Sequence, residues 1–459
     1  VNLTQIVSGQ DVSDLSLASP AAALHPVDQS AAPFRLLVLG LQHVLTMYAG
    51  AVTVPLVIGA ALHLGAGTTA YLVSSDLLAC GLVTLIQCLG VGLIGVRLPI
   101  MMGVTFVAVG PAIAIASNPS LGLPGMFGAS LVAGVAGLFI APIFSRLAWL
   151  FSPVVTGTAM LLIGVTLMGV AVTWVAGGNS GAPGGLWAMG LSLLVLVVIL
   201  GLVRLGKGFV TNIAVLLGVV FGFVVAWASG GVDFAHVADA PWFSLVSPFH
   251  FGWPKFDLLG ALSMTIVMLI TMVESSGMMF ALSRIVDRPL TSADLARGLR
   301  ADAVGAIVGG VFNSLPYTSY SQNVAIVGMT GVKSRYVCAM AGAIMILLAT
   351  VPKLSFLVTA IPYPVLGGAA VVMFGVVAAN GVETLGRVDY GPGSKNLYVV
   401  ALALAVGLIP TMDAHFFDLM PPAVASFLHN GVMLGIVTAI ILNLVLNRRA
   451  PVAADAVLA

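Results

Sequence analysis

The sequence predicts an all-α polytopic membrane protein of fourteen transmembrane segments, arranged as two inverted seven-span repeats. Three observations carry that expectation. Of 459 residues, 60% are hydrophobic and only 7% charged, where an average soluble domain carries about 25% charged residues. Apolar stretches of spanning length recur along the whole chain. All 17 Lys and Arg except Lys255 and Lys353 fall in segments assigned to one side.

A spanning helix needs about 20 mainly apolar residues. With charges and Pro and Gly clusters as punctuation, the segments lie near 35–60, 69–90, 99–117, 124–144, 149–174, 186–204, 208–229, 258–283, 301–313, 314–332, 335–352, 357–381, 395–411 and 421–446. The ninth and tenth are too short or too polar for ordinary spanning helices. Because Lys and Arg are retained on the cytoplasmic side, the N-terminus is placed inside. The inner segments then hold Arg35, Arg97, Arg146, Arg204, Lys207, Arg284, Arg288, Arg297, Arg300, Lys333, Arg335, Arg387, Lys395, Arg448 and Arg449. Both termini are therefore expected to be cytoplasmic. Residues 1–33, with Asp11 and Asp14 and neither Lys nor Arg, read as a mobile cytoplasmic tail. The first repeat covers 34–229 and the second 258–446, separated by an external loop at 230–257 with Trp242, Trp253 and Asp239; 447–459 is a cytoplasmic tail.

Seven spans per half give the halves opposite orientations, the inverted plan common in secondary transporters. Residues 153–165 read PVVTGTAMLLIGV and residues 364–376 read PVLGGAAVVMFGV, sharing Pro, Val, Gly, Ala, Gly and Val in register in the fifth and twelfth spans. Asp76 and Asp302 occupy matching places in the second and ninth.

Composition also excludes several functions. A soluble enzyme is ruled out, and a net charge of +1 with no basic cluster argues against a nucleic-acid partner. Cys80, Cys88 and Cys338 show neither a disulfide framework nor metal-ligand spacing, so no metal or cofactor is expected. The histidines His25, His43, His63, His236, His250, His415 and His429 are dispersed, and no nucleophile and base come together. A channel needs a pore lined by polar or charged rings, which scattered polar residues do not supply.

The tenth segment begins FNSLPYTSYSQNVAIVGMTG at Phe312. Pro316 removes a backbone donor, and Tyr317, Thr318, Ser319 and Tyr320 favour an extended chain. Roughly six extended residues cover about 20 Å, so a short strand reaches mid-bilayer before a half-helix starts near Ser321 or Gln322. Irregular backbone at that depth is tolerated only inside protein or beside a cavity. The third segment, RLPIMMGVTFVAVGP from Arg97, has Pro99 early, β-branched and small residues around Thr105, and a half-helix after Phe106. Two half-helix N-termini then face each other, with unpaired N–H groups ready for a carbonyl or an anion. The alternative is a pair of continuous helices kinked at Pro99 and Pro316.

Glu274 is the one ionisable group of segment 258–283. It lies about 24 Å from one end, and such a residue is by default functional, as a hydrogen-bond acceptor and a proton carrier; the alternative is a carboxylate neutralised by a structural hydrogen bond. Asp302 is either membrane-embedded or a helix cap at the inner interface near Arg300. His43, next to Gln42, either titrates near neutral pH or packs as a satisfied histidine. Gln322 and Asn323 are adjacent amides that need partners in hydrocarbon, which a bound substrate supplies to both, unless Asn323 only caps its helix. Glu274 offers acceptor oxygens, Gln322 a donor and an acceptor side by side, and Phe106 an aromatic face. The set suits a flat heterocycle whose edge alternates N–H and C=O. Asp76 has no evident role.

The pieces LQHVLTMYAGAVTVP (41–55), RLPIMMGVTFVAVGP (97–111), VESSGMMFA (273–281), GLRADAVG (298–305) and FNSLPYTSYSQNVAIVGMTGVKSR (312–335) resemble the nucleobase-ascorbate transporters, also called nucleobase:cation symporters of type 2. The likeness runs from about residue 35 to 446 in family order. It implies a core domain of spans 1–4 and 8–11, a gate domain of spans 5–7 and 12–14, elevator-type alternating access, a homodimer through the gate domain, and proton-coupled import across the bacterial inner membrane. Glu274 matches the family's substrate-binding glutamate. Gln322, Asn323 and Thr330 match the signature motif, whose usual Gly is replaced by Ala325. Phe106 and Ser321 match positions that contact substrate, and His43 and Asp302 match polar positions tied to affinity and coupling. A Gln at the first motif position resembles xanthine and uric acid permeases, whereas Glu there resembles uracil permeases. The resemblance thus implies xanthine or uric acid as substrate, with uracil or another nucleobase as the alternative; a competing reading from architecture alone is an anion transporter of the same seven-plus-seven plan, which the carboxylate of Glu274 beside the site opposes.

Overall fold

The computed structural model describes residues 24–144, 152–178, 185–413, 415–420, 428 and 430–447. Most of the expected N-terminal tail, residues 149–151 of the fifth segment, 421–427 of the fourteenth, nearly all of the C-terminal tail, and Arg146, Arg448 and Arg449 lie outside the described residues.

The described chain is mostly helical. Its main elements are α1 (Pro33–Ala61), α2 (Ala66–Leu89), β1 (Met102–Val104), α3 (Val109–Ala116), α4 (Gly122–Ile140), α5 (Pro153–Val175), α6 (Leu186–Leu205) and α7 (Ala214–Ala228). After the 230–257 connection come α8 (Leu258–Val286), α9 (Ser292–Val311), β2 (Tyr317–Ser319), α10 (Ser321–Thr330), α11 (Arg335–Ala349), α12 (Tyr363–Leu385), α13 (Asn396–Met412) and α14 (Gly431–Leu446). Local chemistry sets the boundaries. Prolines stand in the first turns of α1, α5 and α12, where an N–H has no intrahelical partner to lose. Asp257 caps α8 through Gly260 N–H, Asn430 caps α14 through Met433 N–H, and Thr291 and Asp294 form a reciprocal capping box on α9. Among the described residues, seven helices are long and apolar enough to cross a membrane, or eight if α11 and the short helix Pro352–Thr359 form one span bent by 81°.

Three expectations need correction. The ninth segment is not a fragment at 301–313: the capping box starts α9 nine residues earlier, giving a 20-residue helix whose first turns carry Asp294, Arg297 and Arg300. Asp302 consequently sits in mid-helix, fully buried, and caps nothing. The span expected at 357–381 is shifted, because Pro352 starts a separate short helix and α12 begins only at Tyr363. Finally, the end of the presumed mobile tail is docked. Val27 is fully buried, and Asp28 forms ion pairs with Arg288 at 3.3 Å and Arg335 at 2.8 Å.

Packing follows a reciprocal scheme. Helix α2 packs on α11 as α9 packs on α4, and α1 meets α11 as α8 meets α4. Likewise α6 meets α12 as α13 meets α5, and α7 meets α12 as α14 meets α5. The pairs α2–α9, α5–α12 and β1–β2 are each their own counterpart, as elements lying across a two-fold axis would be. Small residues permit the closest crossings: a Cβ at Gly164 would come within 2.4 Å of Ala378 N, and one at Gly81 within 2.5 Å of Gly342 O.

The two ends of the bundle are chemically separate. At one end lie Asp28 with its two arginines, the Lys333–Asp287 pair, and Arg335 donating to Cys88 O and Leu89 O. At the other, Lys353 donates to Val237 O and Ala238 O and covers the Trp242 ring, while Lys255 donates to Ser120 O.

Candidate functional site

The site grows from the two-stranded sheet. Strands β1 and β2 are antiparallel, with Met102 opposite Ser319, Gly103 opposite Thr318 and Val104 opposite Tyr317. Tyr320 N–H donates to Met101 O and Thr105 N–H to Pro316 O, so the ladder continues past both ends. Gly103 is required here, since a Cβ would fall 2.3 Å from the Tyr320 ring. That ring is fixed in turn by its hydroxyl, which donates to Val104 O at 3.1 Å.

Each strand feeds a helix. Thr105 Oγ1 accepts from Val107 N–H and starts the turn Phe106–Ala108 that runs into α3. Tyr320 precedes α10, where Val324 N–H is the first to close a turn, on Tyr320 O. The N–H groups of Ser321 and Gln322 therefore have no carbonyl of their own helix. Because the strands are antiparallel, the two helix starts and their partial positive charges converge on the sheet.

Helix α8 packs against β2, α10 and the Phe106 turn and brings Glu274, half-buried, to the sheet. Thr318 Oγ1 approaches Glu274 Oε2 at 3.4 Å and Ser275 Oγ at 3.2 Å, and Ser275 Oγ accepts Ser319 N–H at 3.1 Å. Asp302 is fully buried with Ser275 and Glu274 as its polar neighbours, Ser275 near enough to interact though outside strict hydrogen-bond geometry. Ser321 and Gln322 are exposed on the first turn of α10, with Ser321 Oγ 3.4 Å from Gln322 Oε1. Phe106 is half-buried and stands edge-on to Phe374 of α12, with ring centroids 6.1 Å apart.

Other predicted residues are not brought to Glu274 by any bond. Asn323, expected to bind substrate, is instead fully buried with its side-chain amide donating to His43 Nδ1 and His43 O, each at 3.1 Å, so it neither faces the site nor caps its helix. His43 is thereby a partnered buried histidine joining α1 to α10. Ala325 is exposed on α10, and Thr330 closes that helix, donating to Ile326 O and accepting Val332 N–H. Sequence reasoning missed Thr318 and Ser275 as partners of the site. The available signal was alternation: in a strand, Tyr317 and Thr318 face opposite sides.

A family model described as "Permease family" matches residues 34–415. The chain belongs to the nucleobase-ascorbate transporter family. It is 48% identical to the uric acid transporter UacT of Escherichia coli, over 92% of this chain and 88% of that one. It is 40% identical to the xanthine permease of Bacillus subtilis, over 89% and 93% of the two chains. Among solved structures it is similar in fold to the transmembrane domain of a cyanobacterial bicarbonate transporter, BicA, with a TM-score of 0.56 at 13% identity, covering 89% of this chain and 97% of that one. The anion transporter SLC26A9 gives a TM-score of 0.58 at 12% identity, covering 90% and 66%. As a member of the nucleobase-ascorbate transporter family the chain is a permease, not an enzyme, and an integral multi-pass membrane protein.

Proposed function

We propose that this chain imports an oxidised purine, xanthine or uric acid or both, across the bacterial inner membrane by proton symport. The observation that carries the reading is Glu274, a half-buried carboxylate held beside Thr318 where two helix starts converge. Its oxygens accept the N–H groups of the purine edge, the Gln322 amide pairs with the neighbouring N–H and C=O, the Phe106 ring covers the flat face, and Ser321 supplies backbone N–H. Asn323 and His43 act from behind by holding the first turn of α10 against α1. The proton enters with the substrate on Glu274, Asp302 or the two together. Asp302, fully buried beside Ser275 and Glu274, is suited to exchange one.

Fourteen segments in two inverted repeats, with the third and tenth broken between strand and half-helix, account for the reciprocal packing of α1–α7 and α8–α14. A core of α1–α4 and α8–α11 slides past a gate of α5–α7 and α12–α14 in an elevator movement, with homodimers forming through the gate. Both termini are cytoplasmic, on the end that holds Asp28 and its arginines. Uracil is the alternative substrate, and Gln322 argues against it. The anion-transporter reading draws on fold likeness alone and is opposed by the charge of Glu274.

The test is uptake of labelled xanthine by cells expressing the protein, with unlabelled uric acid and uracil as competitors, with and without a protonophore. Protonophore-sensitive uptake blocked by uric acid but not by uracil is expected. Absence of xanthine and urate uptake by correctly inserted protein would overturn the assignment.

A further inference from the structure

Asp76, for which the sequence offers no role, sits at the heart of a hydrogen-bond cluster on the far side of β2 from Glu274. It lies on α2 with 1% of its surface exposed. Oδ1 accepts from the Tyr317 hydroxyl at 2.7 Å and the Ser314 hydroxyl at 2.9 Å, and Oδ2 lies 3.5 Å from the Cys80 thiol. Tyr317 and Ser314 are also 2.8 Å apart. Both belong to the segment that leads into and begins β2, and Tyr317 directly precedes Thr318. The strand is thus gripped on one face by Asp76 through Tyr317 and on the other by Ser275 and Glu274 through Thr318. Strand β2 itself is only three residues long, and so short a strand has little register of its own.

We infer that Asp76 is a positioning residue for transport: its grip on Ser314 and Tyr317 sets the register of β2 and thereby the placing of Thr318 against Glu274 and the start of α10. Asp76 acts as an acceptor. Two hydroxyls and a thiol point donors at one carboxylate, so the role needs acceptor geometry and no exchange of protons. The Asp76→Asn side chain keeps one oxygen for Tyr317 and Ser314 and presents its amide to Cys80.

The inference rests on the purine-transport reading, and the experiment separates the two. Wild type, Asp76→Ala, Asp76→Asn, Tyr317→Phe and the double variant Asp76→Ala/Tyr317→Phe are compared for membrane abundance, for KM and maximal rate of xanthine and urate uptake, and for exchange without a proton gradient. KM in Asp76→Ala and in Tyr317→Phe is expected to rise about tenfold or more. The double variant is no worse than the worse single one, and Asp76→Asn recovers most of the wild-type KM. If Asp76→Ala does not reach the membrane, Tyr317→Phe and Asp76→Asn carry the test. An unchanged KM in Tyr317→Phe, or an Asp76→Asn protein that exchanges substrate but no longer accumulates it, would overturn the positioning role; the second result would make Asp76 a proton carrier. Failure of the wild type to take up either purine would instead sink the transport reading.

Discussion

At the scale of single residues, chemistry is divided between groups that face the site and groups that hold those in place. Among the described residues, half-buried Glu274 accepts from Thr318 alone, so most of its acceptor capacity is free for a ligand. Replacing Glu274 with Gln keeps the shape but removes the charge and the exchangeable proton. Accumulation of xanthine against a gradient is expected to be abolished, and full active uptake by a normally inserted Glu274→Gln protein would refute the proposed role. Gln322 is exposed at the first turn of α10, where it offers both a donor and an acceptor. The Gln322→Glu variant loses the donor, so competition assays are expected to show preference moving toward uracil by about tenfold or more, a range reached when polar pairing is altered. Glu274 was legible in the sequence because a lone carboxylate in an apolar segment needs a reason. The partnership of Asn323 with His43 was not, because 280 positions separate them and only folding makes them neighbours.

At the scale of elements, the decisive unit is the strand pair with its two helix starts. Pro316 and the run from Tyr317 to Tyr320 made an extended stretch legible, and Thr105 and Phe106 marked its counterpart. The pairing register was not legible, since three residues of strand carry almost no pattern. Register comes instead from outside: Thr84 Oγ1 accepts Met102 N–H at 2.9 Å, and Ser275 Oγ accepts Ser319 N–H. Gly103→Ala drives a methyl into the Tyr320 ring, which cannot yield without breaking its bond to Val104 O. Overpacking of this kind costs about 1–3 kcal/mol. The variant is expected to show a lower thermal midpoint and a raised KM, read by melting the purified protein and by uptake assay. Helix α9 teaches the same lesson. Its polar first turns concealed a 20-residue helix, because the Thr291–Asp294 capping box outweighs hydropathy.

At the scale of the whole molecule, charge segregation in the sequence anticipates the two ends of the bundle. Residues assigned to the inner side bond to one another, and Lys255 and Lys353 anchor the connection at the opposite end. The end that carries these pairs is fastened by Asp28, which ties the N-terminal segment to Arg288 and Arg335. These groups are partly exposed, so Asp28→Asn is expected to lower stability by only about 1 kcal/mol, seen as a small drop in melting temperature with transport retained. Lys333, hydrogen-bonded to Asp287, holds that carboxyl below the usual carboxylate range. A depressed carboxylate stabilises the fold while ionised. The Lys333–Asp287 pair therefore contributes at neutral pH, and its contribution is lost as pH falls through the folded Asp287 value. Melting curves of wild type and Asp287→Asn should converge in acid and differ slightly at neutral pH.

The sequence by itself determined the class of molecule, the segregation of its charges along the chain and the family to which it belongs, because hydropathy, charge bias and local motifs are properties of neighbouring residues. It also exposed Glu274 and Gln322, since polar groups in apolar surroundings stand out along the chain. Only the tertiary structure decided the β1–β2 register, the burial of Asp302 in mid-helix, the joining of His43 to Asn323 and the clamp that Asp76 places on Tyr317. For the register, the His43–Asn323 pair and the Asp76 clamp the physical reason is the same. A buried polar group is satisfied by whichever donor or acceptor folding brings within about 3 Å, and that partner lies on another element at no fixed spacing in sequence.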